Sequence, residues 1–349
     1  MAVVETDPTL HDDHHEDHGE FIAHHFESAE QQYDSGKLGI WVFLVTEVLF
    51  FSGLFVAYTL YRSFHPEIFD QAHVFLDKYL GFANTVVLLF SSWTMAMAVR
   101  YAQLGENRKV AGYILTTMVC AAVFIGVKAV EYSHKWDMGI WVRSMFDYAP
   151  GHHEAPSGTL AHALGVSPYL ITLSVIPAIL LVGFLGMAAM TKLMNKTKAP
   201  LFFVCLAIMV GGYFLGCVTA QYYMNVTDGG IGGHASAGPV VLHAQEADGH
   251  AAEAGHESTG GGETMDHGPA EHPEFDRDIG IFFSIYYCMT GLHAIHIIMG
   301  IVFLSWILWR SLLGHWRPDY FGPVDYVGLY WHLVDLIWIY LFPLLYLID

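Results

Sequence analysis

The chain has 349 residues, 54% of them hydrophobic and 14% charged, with 15 basic against 34 acidic side chains and a formal net charge of -19. Charges thin out wherever long apolar runs occur, which is the pattern of a polytopic membrane protein and excludes a soluble globular enzyme. No basic stripe is present to neutralise phosphates, so nucleic acid is excluded as a partner.

In chain order, residues 1–36 are polar, and six of the 22 histidines lie here among Asp and Glu. That composition reads as a solvated tail, with metal binding as the alternative, and no basic stretch precedes an apolar core, so no signal peptide is expected. Residues 38–62 (LGIWVFLVTEVLFFSGLFVAYTLYR) form the first predicted span, long enough to cross the hydrocarbon at about 1.5 Å per residue. Glu47 stands near its middle with no local cation. It reads either as an uncharged carboxyl hydrogen-bonded to a neighbouring helix or as a proton-handling or lipid-facing acid. A second span runs from about Tyr79 to Tyr101, with Asn84 and a Ser91-Ser92-Trp93 patch suited to helix packing. A third runs from about Val110 to Tyr132, where Lys128 and Glu131 are spaced to pair at i,i+3.

Residues 135–168 make a polar connection containing His152, His153 and His162. Two further spans follow, from about Tyr169 to Met190 with Pro177 inside, and from about Leu201 to Met224 with small residues at Gly211, Gly212 and Gly216. Residues 225–278 are a Gly/Ala/His/Glu-rich loop. The last two spans read SIYYCMTGLHAIHIIMGIVFLSWILW and DYVGLYWHLVDLIWIYLFPLLYLI. His293 and His296 share one helical face of the first, and His332 and Asp335 share one face of the second. A central Asp costs about 2.5–3.5 kcal/mol on insertion scales, so such groups face protein, not lipid. The two helices are therefore expected to be partners, with a polar seam between them or against another subunit.

The predicted architecture is all-α: a transmembrane helical bundle of about seven spans. With the N-terminus inside, the inside segments hold nine basic residues, among them Lys192, Lys196, Lys198, Arg310 and Arg317, against five outside. This bias predicts an N-in, C-out arrangement with the His-rich loops on the periplasmic side. Cys120, Cys205, Cys217 and Cys288 make no CxxC and no disulfide framework, so they read as apolar packing.

Three chemistries are open to the intramembrane residues. Haem ligation by His293, His296 or His332 fits poorly, because two histidines three apart on one helix cannot sandwich one ring; a His296/His332 pair across helices is conceivable, but no second matched pair exists. A di-iron carboxylate bundle needs two Glu-x-x-His motifs, and only Glu131-x-x-His134 fits. The third reading is structural: buried hydrogen bonds, helix specificity and lipid contacts. No nucleotide-binding loop, nucleophile triad or four-ligand zinc site is present. The residues alone therefore describe a redox-silent membrane subunit with no catalytic residue and no metal site.

Several stretches also resemble a known family. Lys37-Leu38-Gly39-Ile40-Trp41 through Thr46-Glu47 to Ser52-Gly53 resembles the Glu-bearing helix of cytochrome c oxidase subunit III. Asn84-Thr85 with Ser91-Ser92, and Glu131-Tyr132, are similar to parts of its next helices. Thr290-Gly291-Leu292-His293-Ala294-Ile295-His296 through Gly300, and Tyr330-Trp331-His332-Leu333-Val334-Asp335 through Trp338, resemble its two C-terminal signatures. The resemblance covers roughly residues 37–141 and 279–348, in the family's order.

This resemblance implies a subunit of a proton-pumping haem–copper terminal oxidase in a bacterial inner membrane. The subunit would hold no cofactor itself; haem and copper would lie in partner subunits I and II, with cytochrome c or quinol as donor. It would bind phospholipid and support assembly, proton uptake and turnover stability. It assigns Glu47 and Glu131 to proton- or lipid-related roles, and His293, His296, His332 and Asp335 to the inter-helix seam. The implied division is an acidic His-rich tail at 1–36, core helices at 37–141, an insertion with two extra spans at 142–278, and the last two core helices at 279–349. A quinol-oxidase subunit III is the alternative within this chemistry. A stand-alone ion or proton transporter is the alternative outside it, and would require an inverted repeat with broken helices that the sequence does not show.

Overall fold

A computed structural model describes Phe26 and residues 28–142, 166–230 and 273–348. The N-terminal histidines, His152, His153 and His162, and most of the 225–278 loop lie outside these residues. The elements are α1 (Ala29–Phe64), α2 (Pro66–Ala72), a 3-10 turn (His73–Phe75), α3 (Lys78–Gln103), α4 (Asn107–Asp137), α5 (Pro168–Leu193), α6 (Ala199–Gly230), α7 (Pro273–Leu313) and α8 (Gly322–Tyr346). There is no strand among the described residues. Seven of the helices are long and apolar enough to cross a membrane.

Helix starts follow from capping chemistry. The Ser28 hydroxyl accepts from Gln31 N at 3.1 Å, Asp77 Oδ1 accepts from Tyr79 N at 2.8 Å and Leu80 N at 3.0 Å, and Ser167 Oγ accepts from Tyr169 N at 3.1 Å. Each satisfies backbone N–H groups that have no partner within the helix. α1 begins nine residues before the apolar run that predicts it, because the Ser28 cap nucleates a polar first turn beyond the membrane-length stretch. The short α2 carries Ile68, Phe69 and Ala72 inward, and the Phe69 ring meets Phe282 of α7 edge-on at 5.1 Å. α5 runs unbroken through Pro177.

Packing is sequential on one side and long-range on the other. α4 lies against α3, α6 and α7, while α8 closes on α3, α7 and α1. The α4–α6 crossing brings backbones into contact. A Cβ on Gly126 would meet Tyr213 O, one on Gly216 would meet Val123 O, and one on Gly212 would lie 3.0 Å from Val119 O. Small residues spaced this way let membrane helices approach closely. Gly211, also expected to serve packing, faces open space. α5 then packs on α6 and, where Tyr169 meets Trp136 edge-on at 5.9 Å, on the end of α4, and is otherwise largely exposed.

The central core is aromatic. Trp331, Trp338, Phe124, Tyr286 and Tyr346 are all fully buried, and Phe124 meets Trp338 edge-on at 4.7 Å. Gly300 of α7 leaves room for Trp331 of α8: a Cβ there would sit 2.7 Å from Trp331 Cζ3. The last glycine of one C-terminal signature thus seats the tryptophan of the other. The four cysteines are free thiols.

Candidate functional site

Four groups hold the candidate polar residues of the membrane spans. The largest is on α4. Lys128, Glu131 and Lys135 recur at i, i+3 and i+7, so all three project from one face. Lys128 Nζ is 2.7 Å from Glu131 Oε2, which is the i,i+3 pair expected from the spacing, and Lys135 Nζ is 2.8 Å from Oε1. Two phenols complete the group. Tyr286 of α7 donates to Glu131 Oε1 at 2.7 Å, and Tyr346 of α8 donates to the same oxygen at 2.6 Å. Lys128 also donates to Tyr346 Oη at 2.6 Å and Tyr286 Oη at 3.1 Å, and sits 5.0 Å from the Trp338 ring centroid. All three charged side chains are buried. One carboxylate therefore compensates two ammonium groups and ties three helices together. Three of these bonds fall on Oε1 and one on Oε2, so the carboxylate is turned to ammonium and phenol donors.

The second group joins α1 to α7. Glu47 Oε2 lies 3.0 Å from His296 Nε2, with both side chains about four-fifths buried (18% and 19% exposed). His296 Nδ1 is 2.8 Å from Leu292 O, a carbonyl that can only accept, so Nδ1 carries a proton. Nε2 is thereby turned to the Glu47 carboxyl, at hydrogen-bond distance. The Tyr330 hydroxyl of α8 donates to His296 O at 2.9 Å, and the Phe51 ring lies edge-on to the imidazole at 5.2 Å.

The third group joins α8 to α3. His332 Nδ1 lies 2.6 Å from Ser92 Oγ, Asp335 Oδ2 lies 3.3 Å from Ser91 Oγ, and Trp331 Nε1 donates to Ser91 Oγ at 3.1 Å. Asp335 Oδ1 is buried without a hydrogen-bond partner. The fourth is His293, fully buried between Phe124 at 5.6 Å and Trp338 at 5.3 Å, with neither ring nitrogen hydrogen-bonded.

The four residues expected to line one seam between the last two helices therefore serve separate contacts. His296 reaches α1, His332 and Asp335 reach α3, and only His293 faces the α7–α8 interface. The two helices do touch, but through Gly300 and Trp331 and through the Tyr330 bond to the His296 carbonyl. The physical reason is that an i,i+3 pair spans only about a sixth of a helix circumference. α7 packs against α1, α2, α4, α6 and α8, and α8 against α1, α3 and α7, so the face carrying the pair need not be the face turned to its sequence partner. His296 and His332 point to different helices, so they do not offer paired axial ligands. Among the described residues, no group of three or more His, Cys, Asp or Glu side chains is arranged to hold a metal ion. Lys135 was legible at i+4 from Glu131; Tyr286 and Tyr346, 155 and 215 residues away, left no local signal.

Comparison with known proteins places part of this site in a family. Residues 271–349, which comprise α7 and α8, match the family model described as cytochrome c oxidase subunit III. Cytochrome c oxidase subunit 3 of Synechocystis sp. is 42% identical over 79 residues, 22% of this chain and 34% of that protein. The subunit 3 of Thermostichus vulcanus is 41% identical over 70 residues, 20% of this chain and 35% of its own length. A heme-copper oxidase subunit I+III of Aeropyrum pernix is 36% identical over 72 residues. The chain thus spans about a third of the length of the first two curated relatives, and no solved structure matches it. Over residues 271–349, which carry both C-terminal signatures, the chain is similar to the cytochrome c oxidase subunit III family.

Proposed function

We propose that the whole chain is a subunit III of a proton-pumping haem–copper terminal oxidase, holding no redox centre itself and packing beside the catalytic subunits I and II in a bacterial inner membrane. One observation carries this reading. Polar residues of the family-matched helices are completed by residues outside the match: His296 by Glu47, His332 and Asp335 by Ser92 and Ser91, and Tyr286 with Tyr346 by Lys128 and Glu131. Residues 37–141 thus build the same interior as residues 279–349, which supports treating the two stretches as one core and 142–278 as an insertion on the outer side of α4.

Within that reading the polar groups divide their work. Glu47 and His296 meet near the bundle surface, so proton exchange and lipid contact are assigned to this pair. Glu131 anchors α4, α7 and α8 at one membrane face. His293, His332 and Asp335 hold helix register in the interior. The N-terminus lies inside and the His-rich loops on the periplasmic side, in line with the basic-residue bias.

The test is to purify the native complex through a tag on this chain and record its visible spectrum. Haem and copper absorption comigrating with the chain, with oxygen consumption driven by cytochrome c, is the expected result. Consumption driven only by quinol would move the chain to a quinol oxidase. A colourless, monodisperse species that carries ion flux would overturn the oxidase reading.

A further inference from the structure

The connection between α5 and α6 carries the sequence Lys192-Leu193-Met194-Asn195-Lys196-Thr197-Lys198, three cations in seven residues and no acid. Its backbone is fixed. Asn195 takes φ 57°, the left-handed region, and closes α5 with bonds from Asn195 N to Lys192 O at 3.0 Å and from Lys196 N to Thr191 O at 3.1 Å. This is the helix-ending motif in which an αL residue turns the chain back on itself, and Asn is one of few residues that adopt αL readily. All three lysines are exposed.

A second basic element meets this turn. Phe202, one turn into α6, packs against Trp309 of α7 with ring centroids 5.1 Å apart, and its N–H is bonded to Lys198 O at 3.2 Å. Arg310 follows Trp309 and lies 5.5 Å over the Trp306 ring. Separate parts of the chain thus deliver four cations to one end of α5, α6 and α7. Among the described residues none of the four has an acidic partner at ion-pair distance. Two acids at helix starts are paired with other cations, Glu106 with Lys109 and Asp325 with Lys37.

The surface beneath the cations is apolar. Leu193 is 88% exposed, and Met194, Leu201, Leu185 and Trp306 are also exposed. A soluble anion would use the charges and leave this surface unused, whereas a phospholipid uses both. We infer that this basic turn, with Arg310 and the exposed faces of α5 to α7, is a binding site for an anionic phospholipid whose phosphodiester headgroup lies against Lys192, Lys196 and Lys198. Basic clusters at the end of transmembrane helices attract anionic lipid by about 1 kcal/mol per cation. The Trp and Phe rings suit the interfacial depth at which a headgroup meets its acyl chains. The site lies on the extra helix pair and does not depend on the oxidase assignment.

The test uses the purified complex, delipidated in detergent and reconstituted with phosphatidylglycerol or phosphatidylethanolamine vesicles, followed by native mass spectrometry. The expected result is that wild type retains phosphatidylglycerol over phosphatidylethanolamine, more weakly at high salt, and that a K192Q/K196Q/K198Q variant retains it on the order of 100-fold less. A K192R/K196R/K198R variant should behave as wild type; it separates lost charge from damaged assembly. Equal retention in wild type and the Gln variant overturns the proposal. So does displacement of the lipid by millimolar inorganic phosphate, or cross-linking of these lysines to an acidic segment of another subunit in place of lipid. The visible spectrum of the same sample reports on the oxidase reading independently.

Discussion

Replacing Glu131 with Gln removes the only carboxylate from a buried group that contains two ammonium ions. At 2.7 and 2.8 Å, and with an effective dielectric of about 20, each Lys–Glu attraction is about 6 kcal/mol before desolvation is counted. Most of that offsets the cost of bringing three ions out of water. What a single truncation exposes is the uncompensated remainder, typically about 3–5 kcal/mol. The amide makes matters worse locally, because its NH2 replaces one carboxylate oxygen and meets either a lysine ammonium or a phenol donor to donor. Glu131→Gln should therefore destabilise the purified complex by about 3–5 kcal/mol. The assay is thermal dissociation of the chain from the detergent-solubilised complex. A Lys128→Met, Glu131→Leu, Lys135→Met triple variant, which removes all three charges at similar volume, should recover most of the loss. If Glu131→Gln costs less than about 1 kcal/mol, or if the triple variant is the more damaged of the two, the electrostatic account of this cluster is wrong.

Three other outcomes follow from the contacts. Gly216→Val places carbon against Val123 O closer than real Cβ contacts allow, so α6 must lift from α4; cysteine cross-linking between the two helices should fall sharply, while Gly211→Val, facing open space, should leave it unchanged. Glu47→Gln keeps a donor for His296 Nε2 but removes the carboxyl that it faces. Assembly should change by less than about 1 kcal/mol, while proton uptake slows or activity decays faster over turnovers; an indistinguishable turnover lifetime would end the assignment of Glu47 to proton exchange. Ser91→Val orphans the Trp331 N–H and should cost about 1–3 kcal/mol, whereas Asp335→Asn, at a carboxyl with one oxygen already unpartnered, should cost less; thermal melts of the two variants in parallel decide the order.

The sequence by itself determined the helices and their local pairs. Hydropathy and length located the seven spans, since a helix must satisfy its own backbone to cross hydrocarbon, and the fixed rise and period of that helix put Lys128 beside Glu131 and His293 on the face of His296. The two C-terminal signatures were legible for the same reason: they are short, contiguous and lie within single helices. Tertiary structure alone decided what each polar face meets. Glu47 and His296 are 249 residues apart and Ser92 and His332 are 240 apart. No periodicity within one helix specifies which of several neighbours will lie opposite. That choice was made by close backbone approach at Gly126, Gly212 and Gly216 and by the seating of Trp331 on Gly300, which orient the helices about their axes. A single expected seam between the last two helices thereby became three separate contacts, and Glu131, readable as one half of an ion pair, became the centre of a five-residue group.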